Sequence, residues 1–350
     1  MALGYGAVVL AGVIAGALTH GRLGAFFGMV TLSVFLPALI FEAAWGVDAH
    51  EVRSHWKPVA LLALPGVFIT AGIIAIVTHG AGLAWQTALL LGAVLSATDP
   101  IAVVAIFRQL RVPAGLSAIV ESESLLNDAM AVVLYRALLA GAALLAGIGV
   151  LAGLIAGAAL GWLASVALRK AVAPWLQCAA TAAGAYGSYL FCERWGWSGI
   201  FAVIAFAATL RELERRRLSV QSARAVVQFW AKLAVIANLV LFFLLGAAVD
   251  FTEMRAHMSV VTATIAAVLL ARAVLAYGLL QLARERLKAM WMTVVRMAGI
   301  RGALCVALAL ATPAALAQRA ALVDATFAVA VLSIVAASLT LRRRLEKFDL

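Results

Sequence analysis

Apolar runs close to twenty residues long, separated by short polar turns, recur along the whole chain. A helix needs about 20 mostly apolar residues to cross a bilayer. About twelve runs approach this: 4–19, 25–45, 57–78, 82–107, 115–140, 143–168, 173–192, 197–210, 226–249, 258–282, 289–312 and 320–341. The eighth is short and reads as a tilted or partial span. Gly and Pro fall inside several runs, which membrane helices tolerate where neighbours or trapped water satisfy the freed backbone groups. The pattern predicts an all-α polytopic membrane protein, with no appended soluble domain and no removable signal peptide.

Lys and Arg orient these spans. One set of loops and the tail carries about eighteen, among them Arg53, Lys57, Arg108, Arg111, Arg211, Arg215, Arg216, Arg217 and Arg342. The alternate set holds four: Arg22, Arg194, Arg255 and Arg319. Such a contrast holds only for an even number of spans, which supports the short eighth one. It places both termini in the cytoplasm.

Composition agrees. The 350 residues are 65% hydrophobic and 12% charged, with a mean hydropathy of +1.07. A soluble domain is about a quarter charged. The net charge of +11 does not indicate nucleic acid, because the basic residues are spread over the loops of one side rather than gathered in an arm or face. Cys178, Cys192 and Cys305 lie in or beside apolar runs at spacings that suit no metal, so they read as small apolar residues.

The chemistry concentrates between Leu95 and Tyr135, LSATDPIAVVAIFRQLRVPAGLSAIVESESLLNDAMAVVLY. Acids at mid-membrane depth cost about 2.5–3.5 kcal/mol each on insertion scales, so four of them in two neighbouring spans point to a site for a small cation or a proton. Pro100 breaks the fourth span at Thr98-Asp99-Pro100 and should free backbone carbonyls as oxygen ligands. In the fifth span Ser124, Asn127 and Asp128 share one wall, with Glu123 at its edge. Glu121 lies about 10 Å along the axis from Asp128 and reads as an entrance or interfacial acid. Arg296 and Arg301 sit in the eleventh span, Arg272 and Tyr277 in the tenth and Asn238 in the ninth. A buried arginine needs a partner; Glu123, Asp99 and Glu121 are the candidates, with Glu123 favoured for Arg301. Gly196-Trp197-Ser198-Gly199 has the Gly-x-Ser-Gly form of intramembrane serine proteases, but the later histidine, His257, falls in a loop. No enzyme is expected.

SATDPIAVVAIFRQL, VESESLLNDAMAVVLY and GIRGALCVALAL, in that order, resemble motifs of the monovalent cation/proton antiporter family, in its sodium/proton exchanger branch with an Asn-Asp pair. LPALIFEAAW, FWAKLAVIANLVLFFLLG, SGIFAVIAFAATL and LLARAVLAY are similar to further family segments. The resemblance implies an antiporter fold of inverted repeats with broken crossing helices, here lacking the usual first helix. It divides a single transmembrane domain, 1–350, into a first repeat 1–140, a linker helix 141–170, a second repeat 171–342 and a short tail 343–350. It implies electroneutral one-for-one exchange of Na+ (or Li+) for H+ by alternating access, with cation and proton competing for Asp128. Asn127 would mark the electroneutral branch. Glu123, Ser124 and Thr98 would complete the Na+ site with Asp128. Asp99 would steady the crossing, and Arg301 would balance the buried acids. No cofactor is implied beyond the transported ions. The resemblance also implies a homodimer in a bacterial inner membrane. Ser122, Ala231, Met297 and Ala298 depart from the family's usual residues. With the missing helix, they keep two alternatives in view: K+/H+ exchange on the same scaffold, and an ion-sensing relative that does not transport.

Overall fold

Where the apolar runs are unbroken, they form single helices. The computed structural model describes residues 2–19, 22–47, 49–99, 107, 114–168, 173–214, 219–249, 254–279, 299 and 301–346. Pro100, Arg108, Arg111, the Arg215–Arg217 run, the loop with Arg284, Arg286 and Lys288, and Arg296 in the eleventh span lie outside these residues.

In chain order the helices are α1 (Ala2–Thr19), α2 (Arg22–Gly46), α3 (Ala49–Ser54), α4 (Trp56–Ala63), α5 (Pro65–Gly80), α6 (Trp85–Ser96) and α7 (Ala114–Ala140). They continue as α8 (Ala143–Leu168), α9 (Pro174–Arg194), α10 (Gly199–Glu214), α11 (Val220–Ala248), α12 (Met258–Val274), α13 (Ala303–Ala311) and α14 (Arg319–Glu346). A 3-10 turn, Arg255–His257, leads into α12, and a π turn, Leu275–Leu279, follows it.

The predicted fifth and sixth spans coincide with α7 and α8 to within a residue. The short eighth span is α10, sixteen residues long. Four stretches among the described residues are long and apolar enough to cross a membrane as continuous helix: Trp56–Gly80, Ala143–Leu168, Val220–Ala248 and Arg255–Gly278. The sequence suggested more such spans, and the difference has identifiable causes. The fourth span stops at Ser96 and α13 has nine residues, while α7 carries Glu121, Glu123, Asp128 and Arg136. The helix is broken at Thr98 and Asp99 as expected, and the unwound stretch begins one residue earlier, at Ala97. A proline ring clashes with the carbonyl four residues before it. For Pro100 that is Ser96, the last helical residue.

The chain divides into two compact units. One comprises Val30–Val47 and Ala140–Asn238. Inside it, α8 lies on α10 through Gly149, Gly153, Gly157 and Gly161, buried at four-residue spacing. A Cβ on Gly157 would run into the Ala202 backbone, and one on Gly161 would approach the Phe206 carbonyl at 2.8 Å. Such small-residue stripes let backbones meet where lipid supplies no hydrophobic drive between helices. The other face of α8 exposes Leu144, Leu151 and Ile155, as a lipid-facing surface would. Phe41 stacks on Trp230 at 4.1 Å, and the Trp230 indole N–H donates to Thr181 Oγ1 at 3.1 Å. Gly196, at φ +72°, makes the turn between α9 and α10, and the Ser198 N–H donates to Gly149 O at 2.9 Å. The protease-like tetrapeptide is thus a helix–helix turn. Gly157→Val is expected to lower stability by about 1–3 kcal/mol through overpacking. Gly147→Val, which meets open space, should cost far less. Thermal unfolding of the two variants side by side checks this.

The other unit comprises Met1–Met29, Asp48–Leu139 and Leu239–Leu350. Here α4 and α5 form one span hinged at Leu64–Pro65, and α6 lies against α5 where Gly92 meets the Ala71 carbonyl. Two helix ends face each other across a gap in helical structure. Helix α6 ends at Ser96 and continues as extended backbone at Ala97. Helix α13 begins at Ala303 after an extended Gly302. Their meeting point is where the charged residues gather.

Candidate functional site

Unwound residues 97–99 bring backbone groups to the wall of α7 that carries the polar side chains. The Thr98 N–H, left without a helical acceptor, donates to Asp128 Oδ1 at 3.0 Å. The Ser124 hydroxyl donates to the Thr98 carbonyl. Thr98 Oγ1 donates to Ser124 Oγ at 3.3 Å and accepts from Asn127 Nδ2 at 3.3 Å. Asn127 Nδ2 also reaches Glu123 Oε1 at 3.2 Å. Thr98, Glu123, Ser124, Asn127 and Asp128 thus form one connected set, as their i, i+3, i+4 spacing allows. All are buried except Asp128, which is half-buried.

Asp99 stands at the other side of the crossing. A Cβ on Gly302 would run into its carboxylate, so the acid rests against the residue that opens α13. An acid there complements the partial positive charge of a helix N-terminus. The Cys305 thiol, one turn into α13, donates to Ala97 O at 3.3 Å. The two broken segments are therefore tied directly to each other.

The buried arginines correct one expectation. Glu123 pairs with Arg272, not with Arg301: Arg272 Nη1 donates to Glu123 Oε1 at 2.8 Å. Arg272 reaches it because Gly299, beside its guanidinium, has no side chain to block the approach. Arg301 is only 1% exposed. Its backbone N–H donates to Ser333 Oγ at 3.1 Å and its Nη1 to Gly299 O at 3.4 Å. Both arginines line a narrow cleft with Thr70, Ser96, Thr98 and Asn127. The signal for Arg272 was present in LLARAVLAY, since an arginine within an apolar run needs a partner. With several acids and arginines available, spacing alone could not assign the pairs. Glu121 is half-buried and accepts the Ser117 hydroxyl at 2.7 Å. Lys232 is exposed, and Asn238 donates to Ala234 O within its own helix at 2.8 Å.

The donor set suits a hard monovalent cation. It offers a carboxylate, hydroxyl groups, a backbone carbonyl and Asn127 Oδ1, which is buried with no hydrogen-bond partner. Oxygen ligands of this kind select hard cations over soft metals. Among the described residues no cluster of three or more His, Cys, Asp or Glu could hold a metal.

Comparison with known proteins bears on the family and the fold. A model of the family described as sodium/hydrogen exchanger, transmembrane, matches residues 5–347. The low-affinity Na(+)/H(+) antiporter NhaS1 of Synechocystis sp. is 31% identical over 340 residues, 91% of this chain and 64% of its own length. The Na(+)/H(+) antiporter ApNhaP of Aphanothece halophytica is 33% identical over 336 residues, 91% of this chain and 64% of its own. NhaH of Halobacillus dabanensis, also a Na(+)/H(+) antiporter, is 30% identical over 345 residues, with 93% and 84% covered. The chain spans just under two thirds of the length of the first two relatives. The solved structure of the sodium proton antiporter MjNhaP1 from Methanocaldococcus jannaschii at pH 8 has a TM-score of 0.75. It covers 100% of this chain and 99% of its own at 17% identity, which establishes the shared fold. With its apolar helices, its two facing helix breaks and this end-to-end match, the chain is an integral membrane protein of the sodium/hydrogen exchanger family.

Proposed function

We propose that the chain is a secondary active antiporter exchanging Na+ (or Li+) for H+, one for one, with both ions competing for Asp128. The observation that carries the reading is the charge gathered at the crossing. Asp99, Glu123 and Asp128 bring three negative charges when ionised, and Arg272 and Arg301 bring two positive ones. Among the described residues at the crossing the sum is −1, and one monovalent cation or one proton brings it to zero.

That sum supports a coupling rule. A carboxylate in a water-poor site is favoured in its neutral form, while a bound cation favours the ionised one. Proton and sodium therefore displace each other. An uncompensated charge is costly to move through a low-dielectric barrier, so the empty, ionised site stays where it is. The neutralised site, loaded with either ion, is free to change sides. Asp128 exchanges the ion. Ser124, Thr98 and Asn127 supply further oxygens, and Glu123, held by Arg272, fixes the Asn127 amide. Asp99 steadies the opening turn of α13, and Arg301 offsets the acids.

The finer features of the reading stand with it. The two inverted repeats, 1–140 and 171–342, are joined by the linker helix 141–170. The protein works as a homodimer in a bacterial inner membrane, with both termini in the cytoplasm, as the loop charges support. The relatives named above are sodium/proton antiporters, which favours sodium over potassium as the cargo.

Purified protein in liposomes tests this. Adding sodium should collapse an imposed pH gradient, and a potential-sensitive dye should stay silent during the collapse. A dye response with passive leak excluded would overturn the one-for-one stoichiometry, and no collapse would overturn the exchange itself.

A further inference from the structure

Helix α13 is held at both ends, and the outer hold has no role in the exchange chemistry described above. Its last carbonyls lose their helical donors because Pro313 follows Thr312, which takes an extended conformation at φ −62° and ψ 130°. Arg319, the first residue of α14, supplies replacements. Its Nε donates to Thr312 O at 2.8 Å and its Nη2 to Leu310 O at 3.1 Å. The guanidinium also places positive charge at a helix C-terminus, where the dipole favours it. Thr312 Oγ1 donates back to Leu308 O at 3.0 Å and accepts the Tyr135 hydroxyl at 3.2 Å.

Tyr135 links this end to the ion site. It lies seven residues after Asp128 on α7, on the same face and about 10 Å farther along the axis. The segment before Arg319 reaches a third helix. Gln318 adopts φ +57°, a conformation rare for a side chain of its kind. Both ends of its amide are engaged: Nε2 donates to Gly82 O at 3.1 Å, and Oε1 accepts from the Ala84 N–H at 2.8 Å. Thr87 Oγ1 donates to Ala317 O at 2.8 Å. A non-glycine residue persists in such a region only when its surroundings over-determine it. Residues 312–319 thus form a clasp on the far ends of α6 and α13, whose near ends build the crossing, and on α7 two turns beyond Asp128.

We propose that Arg319 is a positioning residue for the ion site. It sets the axial position of α13, and through that nine-residue helix the placement of Gly302 against Asp99, of Cys305 against Ala97 and of Arg301 beside the cleft. A helix of this length is a strut of about 13 Å. A shift of its outer end is carried to the inner end, and displacements of about 1 Å are enough to degrade a preorganised site. This inference rests on the antiporter reading, so its test includes a measurement independent of transport.

The full chain is compared with Arg319→Gln, Arg319→Lys and Tyr135→Phe. Two curves are recorded against sodium concentration: sodium-driven proton flux in liposomes, and the sodium-induced rise in thermal unfolding temperature of the purified protein, which reports binding by mass action. Arg319→Gln should raise the half-saturating sodium concentration in both by about three- to tenfold. Arg319→Lys should recover much of that loss, and Tyr135→Phe should show a smaller shift in the same direction. A purely structural role would lower the unfolding temperature and the maximal rate while leaving half-saturation unchanged, and that result overturns the proposal. Should Arg319→Gln fail to fold, Tyr135→Phe decides: wild-type half-saturation overturns the proposal and a raised value supports it. If the wild-type chain binds sodium but moves no protons, the antiporter reading fails and the thermal curves alone judge Arg319. If it neither binds nor exchanges sodium, both readings fall.

Discussion

Replacing Asp128 by Asn is expected to abolish sodium-driven proton flux while leaving the protein folded. The substitution is nearly isosteric, and an amide oxygen can still accept the Thr98 N–H that Asp128 Oδ1 now accepts at 3.0 Å. The unwound segment therefore keeps its anchor to α7. What disappears is the exchangeable charge. An amide does not ionise near neutral pH, so it neither takes up a proton for transport nor neutralises a bound sodium ion. With Asp99 and Glu123 still opposed by Arg272 and Arg301, the site would sum to zero when empty. Coupling requires the empty site to be charged and the loaded one neutral, and the variant inverts that relation. Flux in liposomes should drop to the protein-free background, and the unfolding temperature in detergent should stay close to wild type. Flux surviving in the variant would remove Asp128 from the mechanism.

The second large effect is expected at the Glu123–Arg272 pair. Both side chains are almost fully enclosed, at 3% and 8% exposure. Breaking a buried pair by removing one partner leaves an uncompensated charge and costs about 3–5 kcal/mol. Arg272→Met and Glu123→Gln should each destabilise on that scale. The double variant should recover most of the loss, because no unpaired charge remains and the Gln carbonyl can still accept from Asn127. Met suits position 272 because its unbranched chain follows the path of the Arg272 stem beside Gly299. Unfolding measurements on the three variants form a double-mutant cycle. Simple addition of the two single losses would show that the 2.8 Å contact carries no coupling energy. Transport should respond differently, since neutralising both partners leaves the net charge at the crossing unchanged. Sodium-dependent exchange in the double variant should therefore survive at a reduced rate.

Much of the fold was legible before the structure. Helix α8 occupies the span predicted for it, because twenty-six residues without a charge, all but Ser165 apolar or glycine, have no other stable form in a bilayer. The short eighth span, supported by loop charges, is a helix of sixteen residues. The family was legible from the polar residues of α7 and their counterparts around Arg301, since such residues are rare at membrane depth and their order is specific. The break before Pro100 was legible as well: Thr98 and Asp99 are unwound as expected, together with Ala97. The proline acts on the carbonyl four residues behind it, not on its immediate neighbours.

Pairings were a different matter. The run LLARAVLAY announced a buried cation, but it could not say which acid would meet it. The outcome depended on Gly299, distant in sequence, leaving room beside the Arg272 guanidinium. The clasp at Arg319 had no local signature at all. Its bonds reach the carbonyls of Leu310 and Thr312, and its neighbours Ala317 and Gln318 join it to Thr87, Gly82 and Ala84 some 230 residues earlier.

Read alone, the sequence determined what kind of molecule this is: a bundle of membrane helices, with acids at a depth where charge needs a purpose. Those conclusions follow from one-dimensional quantities, namely run length, side-chain period and the cost of taking charge out of water. Only the tertiary structure decided that Arg272 takes Glu123, that Asp99 meets the opening of α13, and that α13 is strapped at its far end. Those choices depend on how closely backbones approach and on which side chain reaches a given atom first, and no pattern along a single chain encodes such distances.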